Sequence, residues 1–100
     1  MTPTPWGSPE EVERRRRIRL SVWAYAYEVL DVSLVDDHRF DDEALLVDLT
    51  VATGSPQLDA FFRRYFEAHT GQWVTKHPER QKLDTLTRAI VARNNQEVTE

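Results

Sequence analysis

Helix-start signals constrain this chain more than any other feature of its sequence. Ser8 stands before Pro9, Glu10 and Glu11, so a serine able to cap is followed by a proline at the first helical position and by the glutamate that completes a capping box. The same grammar recurs at Ser55 and Pro56, and Pro78 marks a further start. Between these points apolar residues recur at steps of three and four, the period of a helix with one buried face. The first helix is expected to run from Ser8 and Pro9 to about Leu30, with Leu20, Trp23, Tyr27 and Leu30 as its stripe and Val22, Ala26 and Val29 widening it. The segment from Val32 to Asp36 has no helical period. Asp37 suits a cap for a second helix from His38 to about Leu49, which makes a helical hairpin.

A third helix is expected from Ser55 and Pro56 through Leu58, Phe61, Phe62, Tyr65 and Phe66 until Gly71 ends it. The linker from Gln72 to His77 holds Trp73 and Val74, too apolar for a free tail, so it is expected to fold back across the bundle. Pro78 then opens a last helix with Leu83, Leu86, Ile90 and Val91 on one side, and Asn94 and Asn95 are stop signals. Leu45 to Val51 could alternate as a short strand, but no pairing partner is visible. The expected fold class is therefore all-α: a small bundle of about four helices in a single domain spanning 1–100, with 1–7 and 95–100 as frayed tails. A chain of 100 residues that is 40% hydrophobic can support one compact core of that kind.

Charge is distributed unevenly although the net value is only −4. Arginines crowd into Arg14, Arg15, Arg16, Arg17 and Arg19, spaced to pair with Glu10, Glu11 and Glu13 along a helix, and the plain reading of that run is a solvated helix turn. From Glu28 to Asp59 the chain is acidic and Arg39 is its only arginine or lysine. An acidic middle repels a phosphate backbone, and the arginine run has no interleaved aromatics, so nucleic acid is not the expected partner. The chain has no cysteine, which excludes disulfides, thiolate metal sites and a thiol nucleophile and suits a reducing cytoplasm. No window reaches the length of a membrane span, and the N-terminus has no signal-peptide core.

Candidate site residues gather at the hairpin. The stretch Tyr25, Ala26, Tyr27, Glu28, Val29, Leu30, Asp31, followed by Val35, Asp36, Asp37, His38, Arg39, Phe40 and Asp41, resembles the N-terminal (Ia) nicotinamide-binding helical domain of NAD-dependent DNA ligases. Its motif there is approximately Y-x-Y-H/Y-V-x-D-x-P-x-[IV]-x-D-x-x-Y-D, and the spacing here matches without a gap. The resemblance implies a helical hairpin that closes over the nicotinamide mononucleotide half of NAD, with contacts from Tyr27, Asp37 and Asp41, which keep the family residue, and from Glu28 and Phe40, which replace a histidine or tyrosine and a tyrosine. Ser33 stands where the family often has proline. The chemistry is coherent: an oxidised nicotinamide ring is cationic, so aromatic faces and carboxylates both attract it, and carboxylates accept hydrogen bonds from ribose hydroxyls.

Plainer roles compete at each position. Asp37 could be only a cap, Asp41 and Asp42 could only complement the helix dipole, and Tyr27 and Phe40 could be core residues. His38 with Asp41 and Asp42 has spacing that could hold a metal, but no second histidine follows at a suitable distance, so no metal is expected. His69 and His77 stand at helix boundaries and read as cap or turn residues. Lys82, Leu83, Asp84 and Thr85 approach the K-x-D-G nucleophile motif of ligases but lack its glycine and lie in a helical pattern, so Lys82 reads as a solvent-facing ion pair. No catalytic residue is expected, and a chain this short cannot contain a nucleotidyltransferase domain.

The expected function is a non-catalytic, ligase-related module that binds a nicotinamide nucleotide, NMN or NAD, or a protein partner, with no cofactor required. The alternative is a small regulatory or inhibitory interaction factor, such as a bacteriophage accessory protein, without nucleotide binding. Trp6, Trp23 and Trp73 would be its candidate anchors.

Overall fold

A computed structural model describes residues 7–98, with side chains through Asn94. Its elements are α1 (Pro9–Glu28), α2 (Asp37–Leu45), α3 (Pro56–Tyr65), a 3-10 turn (Gln72–Lys76) and α4 (Arg80–Val98). The fold is all-α, and there is no β-strand among the described residues; Leu45 to Val51 forms turns instead. Of the expected tails at 1–7 and 95–100, residues 1–6, with Trp6, and 99–100 lie outside the described residues, and 95–98 is helical rather than frayed. The last helix runs past Asn94 and Asn95, so these asparagines do not stop it.

The first helix starts as its sequence requires. The Ser8 hydroxyl accepts the Glu11 amide at 3.3 Å and the Glu11 carboxylate accepts the Ser8 amide at 3.3 Å, a complete capping box. It ends at Glu28, two residues before the expected Leu30. Asp31 adopts φ 58° and the Val32 amide returns to the Ala26 carbonyl at 2.8 Å. A left-handed conformation is costly for most side chains, but aspartate tolerates it.

Helix α1 is the spine, packing against α4, the 3-10 turn and α2, while α3 packs on the 3-10 turn. Its buried stripe is rotated from the expected one: Leu20, Ser21, Val22, Ala24, Tyr25 and Ala26 are buried, Trp23 is half-buried and Tyr27 is 61% exposed. The Tyr25 hydroxyl donates to Asp84 at 2.6 Å, and Arg88 holds the same carboxylate at 2.9 Å. That contact orients α4 so that Leu83 and Thr87 are buried and Ile90 and Val91 half-buried, whereas Leu86, expected on the inner face, is exposed.

The linker from Gln72 to His77 folds across the bundle as its apolar content predicts, burying Trp73 and Val74. Trp73 meets Phe61, Phe62 and Phe66 with ring centroids 6.0, 5.2 and 5.2 Å away. Edge and tilted contacts of this kind add to the area the rings bury. Helix α3 ends at Tyr65, with Phe66 already extended, well before Gly71. Helix α4 begins at Arg80 rather than at Pro78; the His77 imidazole accepts the Glu79 amide at 3.0 Å and so serves the turn before it.

The arginine run is not a solvated turn. Arg17 is 0% exposed. Its guanidinium donates to Glu13 at 2.9 Å, Asp59 at 2.8 Å, and the carbonyls of Asp48 and Val51 at 2.7 and 3.1 Å, and it lies over the Phe62 ring at 5.4 Å. Glu13 also accepts the Asp48 amide at 3.1 Å, and Asp59 accepts the Thr53 amide at 2.9 Å and the Thr53 hydroxyl. One cation thus joins α1, residues 48–53 and α3, with both acids satisfied by further donors, as buried charges require. Burial pushes the Asp59 carboxyl up, but the Thr53 hydrogen bonds and the Arg17 charge outweigh it and hold the group below its ordinary value.

This network also explains why α2 ends at Leu45 instead of Leu49: the carbonyls of Asp48 and Val51 serve Arg17, and a continuing helix would direct them along its own axis. Arg16 pairs with Glu13 at 2.6 Å and Glu43 at 3.3 Å, and Arg19 also pairs with Glu43, tying α1 to α2. Arg15 and Glu11 form the expected helical pair at 3.9 Å.

Candidate functional site

The helical hairpin encloses a cavity of about 320 Å³ on one side, within the lower part of the ~300–1,000 Å³ range of small-ligand pockets. Its walls come from Trp23, Ala24, Tyr27 and Glu28 at the end of α1, Ser33, Leu34 and Val35 in the connection, Asp37, Phe40 and Asp41 in α2, and His69, Thr70 and Gly71 before the 3-10 turn. All of the residues singled out from the sequence, Tyr27, Glu28, Asp37, Phe40 and Asp41, line this one cavity.

Local structure places each of them. Tyr27 and Glu28 occupy the last turn of α1 and are exposed there because the helix buries its opposite side on α4. The cap of α2 is Asp36, not Asp37: Asp36 accepts the Arg39 amide at 2.8 Å and its carbonyl accepts the Phe40 amide at 3.1 Å. Asp37 is therefore the first helical residue, and its carboxylate is released from capping. Asp41 follows four residues later and shares its face. Phe40 is half-buried and packs on the edge of the core, its ring 6.5 Å from that of Trp23 at an interplanar angle of 51°. The guanidinium groups of Arg19 and Arg39 each lie 5.8 Å from the Trp23 ring.

Glu28, Asp37 and Asp41 make no ion pair or hydrogen bond through their side chains among the described residues. Carboxylates without partners beside aromatic faces form an environment for a cation. Ser33, in the position where the resembled motif has proline, donates its hydroxyl to the Val35 carbonyl at 2.9 Å and so stabilises the turn internally.

The far wall was not legible in the motif. Gly71 approaches α1 so closely that a Cβ there would stand 3.0 Å from the Ala24 Cβ, which fixes this loop against the helix. The Trp73 indole donates to the Thr70 carbonyl at 2.6 Å. A glycine ahead of an apolar Trp73 and Val74 was the available signal for a close approach, but the sequence does not say which helix would be approached.

Of the other residues that the sequence offered, Trp23 and His69 also line the cavity, whereas Lys82, His38 and Asp42 stand apart from it. Lys82 pairs with Glu79 at 3.1 Å and its side chain is largely exposed, as an ordinary surface ion pair. His38 and Asp42 are exposed on α2. No group of three or more histidine and acidic side chains is arranged to hold a metal among the described residues, and no helix there is long and apolar enough to cross a membrane. The molecule is thus a small helical protein with an acidic, aromatic-lined hairpin pocket. No protein-family model, curated protein or solved structure matches the chain.

Proposed function

We propose that the hairpin pocket binds the nicotinamide mononucleotide portion of NAD, or free NMN, without catalysing a reaction. The observation that carries this reading is the convergence of Tyr27, Glu28, Asp37, Phe40 and Asp41 on one cavity. Tyr27 and Phe40 supply faces for the pyridinium ring. Glu28, Asp37 and Asp41 supply its counter-charge and acceptors for the ribose hydroxyls. Phe40 keeps the stacking surface of a tyrosine and removes its hydroxyl, which makes the ring contact electrostatic and dispersive only. The role is recognition: the pocket would hold the nucleotide without acting on it.

Calorimetric titration with NMN, NAD and NADH tests the assignment. Saturable binding of the oxidised ligands, weaker binding of NADH with its uncharged ring, and loss of binding in Asp37→Ala/Asp41→Ala are expected. Absence of heat and of amide shifts around Asp37 at millimolar NMN rejects it.

A second reading, a small regulatory factor that docks on a protein, draws on a separate observation. Leu45 and Leu46 are 63% and 58% exposed at the end of the acidic α2, where apolar anchors beside a charged rim suit an interface with a basic partner. A stoichiometric partner retained by Asp37→Ala/Asp41→Ala and lost in Leu45→Ser/Leu46→Ser favours docking over nucleotide binding.

A further inference from the structure

We propose that the loop of residues 69–71 forms the phosphate-recognising wall of the hairpin pocket, with His69 and Thr70 donating to the 5′-phosphate of a mononucleotide. The proposal rests on the nucleotide reading above and assigns residues outside the hairpin motif. A nicotinamide mononucleotide is a dipolar ligand, cationic at its ring and anionic at its phosphate. The hairpin walls satisfy the first end and repel the second, because Glu28, Asp37 and Asp41 are all carboxylates without partners among the described residues. A phosphate must therefore find its donors on the wall that carries no carboxylate.

Residues 69–71 are that wall. His69 is the sole basic side chain lining the cavity among the described residues, and its imidazole has no hydrogen-bond or ion-pair partner there. An imidazole offers an N–H in either protonation state. Thr70 is half-buried, and its hydroxyl oxygen accepts the Gln72 amide at 3.2 Å, which leaves the hydroxyl hydrogen free to donate. By contrast, the Ser33 hydroxyl across the cavity is already committed to the Val35 carbonyl. The donors Tyr27 and Trp23 stand on the helix that bears Glu28.

The wall is held rigidly. The Trp73 indole grips the Thr70 carbonyl at 2.6 Å, and Gly71 rests so close to Ala24 that a Cβ there would stand 3.0 Å from the Ala24 Cβ. Donors fixed in place before a ligand arrives lose less freedom on binding it.

The test compares NMN with nicotinamide riboside, the same ring and sugar without phosphate, on the wild type, His69→Ala, His69→Gln and Thr70→Val. The wild type is expected to prefer NMN by about tenfold or more, the scale of one charge-assisted hydrogen bond. His69→Ala should reduce that preference while leaving riboside affinity and the thermal midpoint unchanged, Thr70→Val, which also gives up the bond from the Gln72 amide, should reduce it while leaving riboside affinity unchanged, and His69→Gln, which keeps a donor, should retain part of it. A wild type that binds both ligands equally, or a preference unaltered in His69→Ala and Thr70→Val, overturns this assignment and leaves the nucleotide pocket intact. Failure of the wild type to bind either ligand at millimolar concentration overturns the pocket reading, and this one with it.

Discussion

Arg17 and Asp37 lie on neighbouring helices of the same acidic protein and hold their charges in opposite ways. Arg17 is sealed from solvent, and its donors reach two carboxylates and two backbone carbonyls. Asp37 is exposed, makes no side-chain hydrogen bond or ion pair among the described residues, and faces a cavity with Glu28 and Asp41. A buried charge is tolerated only where every partner is supplied in the folded chain, so the Arg17 cluster is structural. A charge left open at a cavity wall contributes little to folding and remains available to something outside. The difference separates charges committed to the fold from charges left open at its surface.

The largest effect should come from breaking the buried cluster. Arg17→Met leaves Glu13 and Asp59 buried without their cation and is expected to destabilise the protein by about 3–5 kcal/mol, read from chemical denaturation. A loss below ~1 kcal/mol would mean that water reaches the acids and that the cluster is not a core element.

Acid should act next, on the Asp59 cluster and on the Asp84 contact between α1 and α4 alike. The folded-state values of Asp59, Asp48 and Asp84 lie below the ordinary 3.8, so their contribution is complete above that value and is lost as the pH falls through the lower folded values. His77 has the same sign for a different reason. Burial lowers its value from the ordinary 6.5, so below 6.5 the unfolded chain takes up a proton first and stability begins to decline. Thermal midpoints measured downward from pH 7.5 should show a shallow fall beginning near 6.5 and a steeper one below 4, and His77→Gln should remove only the first. A flat profile down to pH 3 would contradict both assignments.

The two adjacent aspartates at the start of α2 sharpen the comparison at finer scale. Asp36→Ala removes a cap and should cost about 1 kcal/mol, whereas Asp37→Ala should stay within about 0.5 kcal/mol, both measured by urea midpoint. Equal losses would return the capping role to Asp37 and withdraw it from the pocket. The smallest effect on stability belongs to Asp41→Asn, at most about 0.5 kcal/mol, although it should weaken NMN binding severalfold in a calorimetric titration. A large loss of stability would make Asp41 a structural residue.

Much of this architecture could be read from local rules. Ser8, Pro9 and Glu11 set the start of α1, Ser55 and Pro56 that of α3, and the apolar Trp73 and Val74 required the linker to be covered. These features depend on neighbours a few residues away. The ordering of Tyr27, Glu28, Asp37, Phe40 and Asp41 around a hairpin was legible for the same reason, since two helices joined by a short turn bring those positions together.

The charged neighbours of Arg17 in sequence point to solvent, whereas the side chain is buried. Yet Glu13 and Arg17 continue, at steps of three, four and seven, the stripe of Leu20 and Ala24, and an i, i+4 ion pair on an apolar stripe is the signal that marks burial. His69 and Thr70 carry no local sign that they line the pocket, because their position depends on Gly71 docking forty-seven residues from its contact Ala24.

The sequence by itself therefore determined the helices, their capped starts and the cluster of acids and rings at the hairpin, because caps, periodicity and short connections act over a few residues. Only the tertiary structure decided which charges are buried, where α2 stops and which loop completes the pocket. Those outcomes depend on partners far along the chain, and a charge acquires its role from the groups that surround it once the helices have packed.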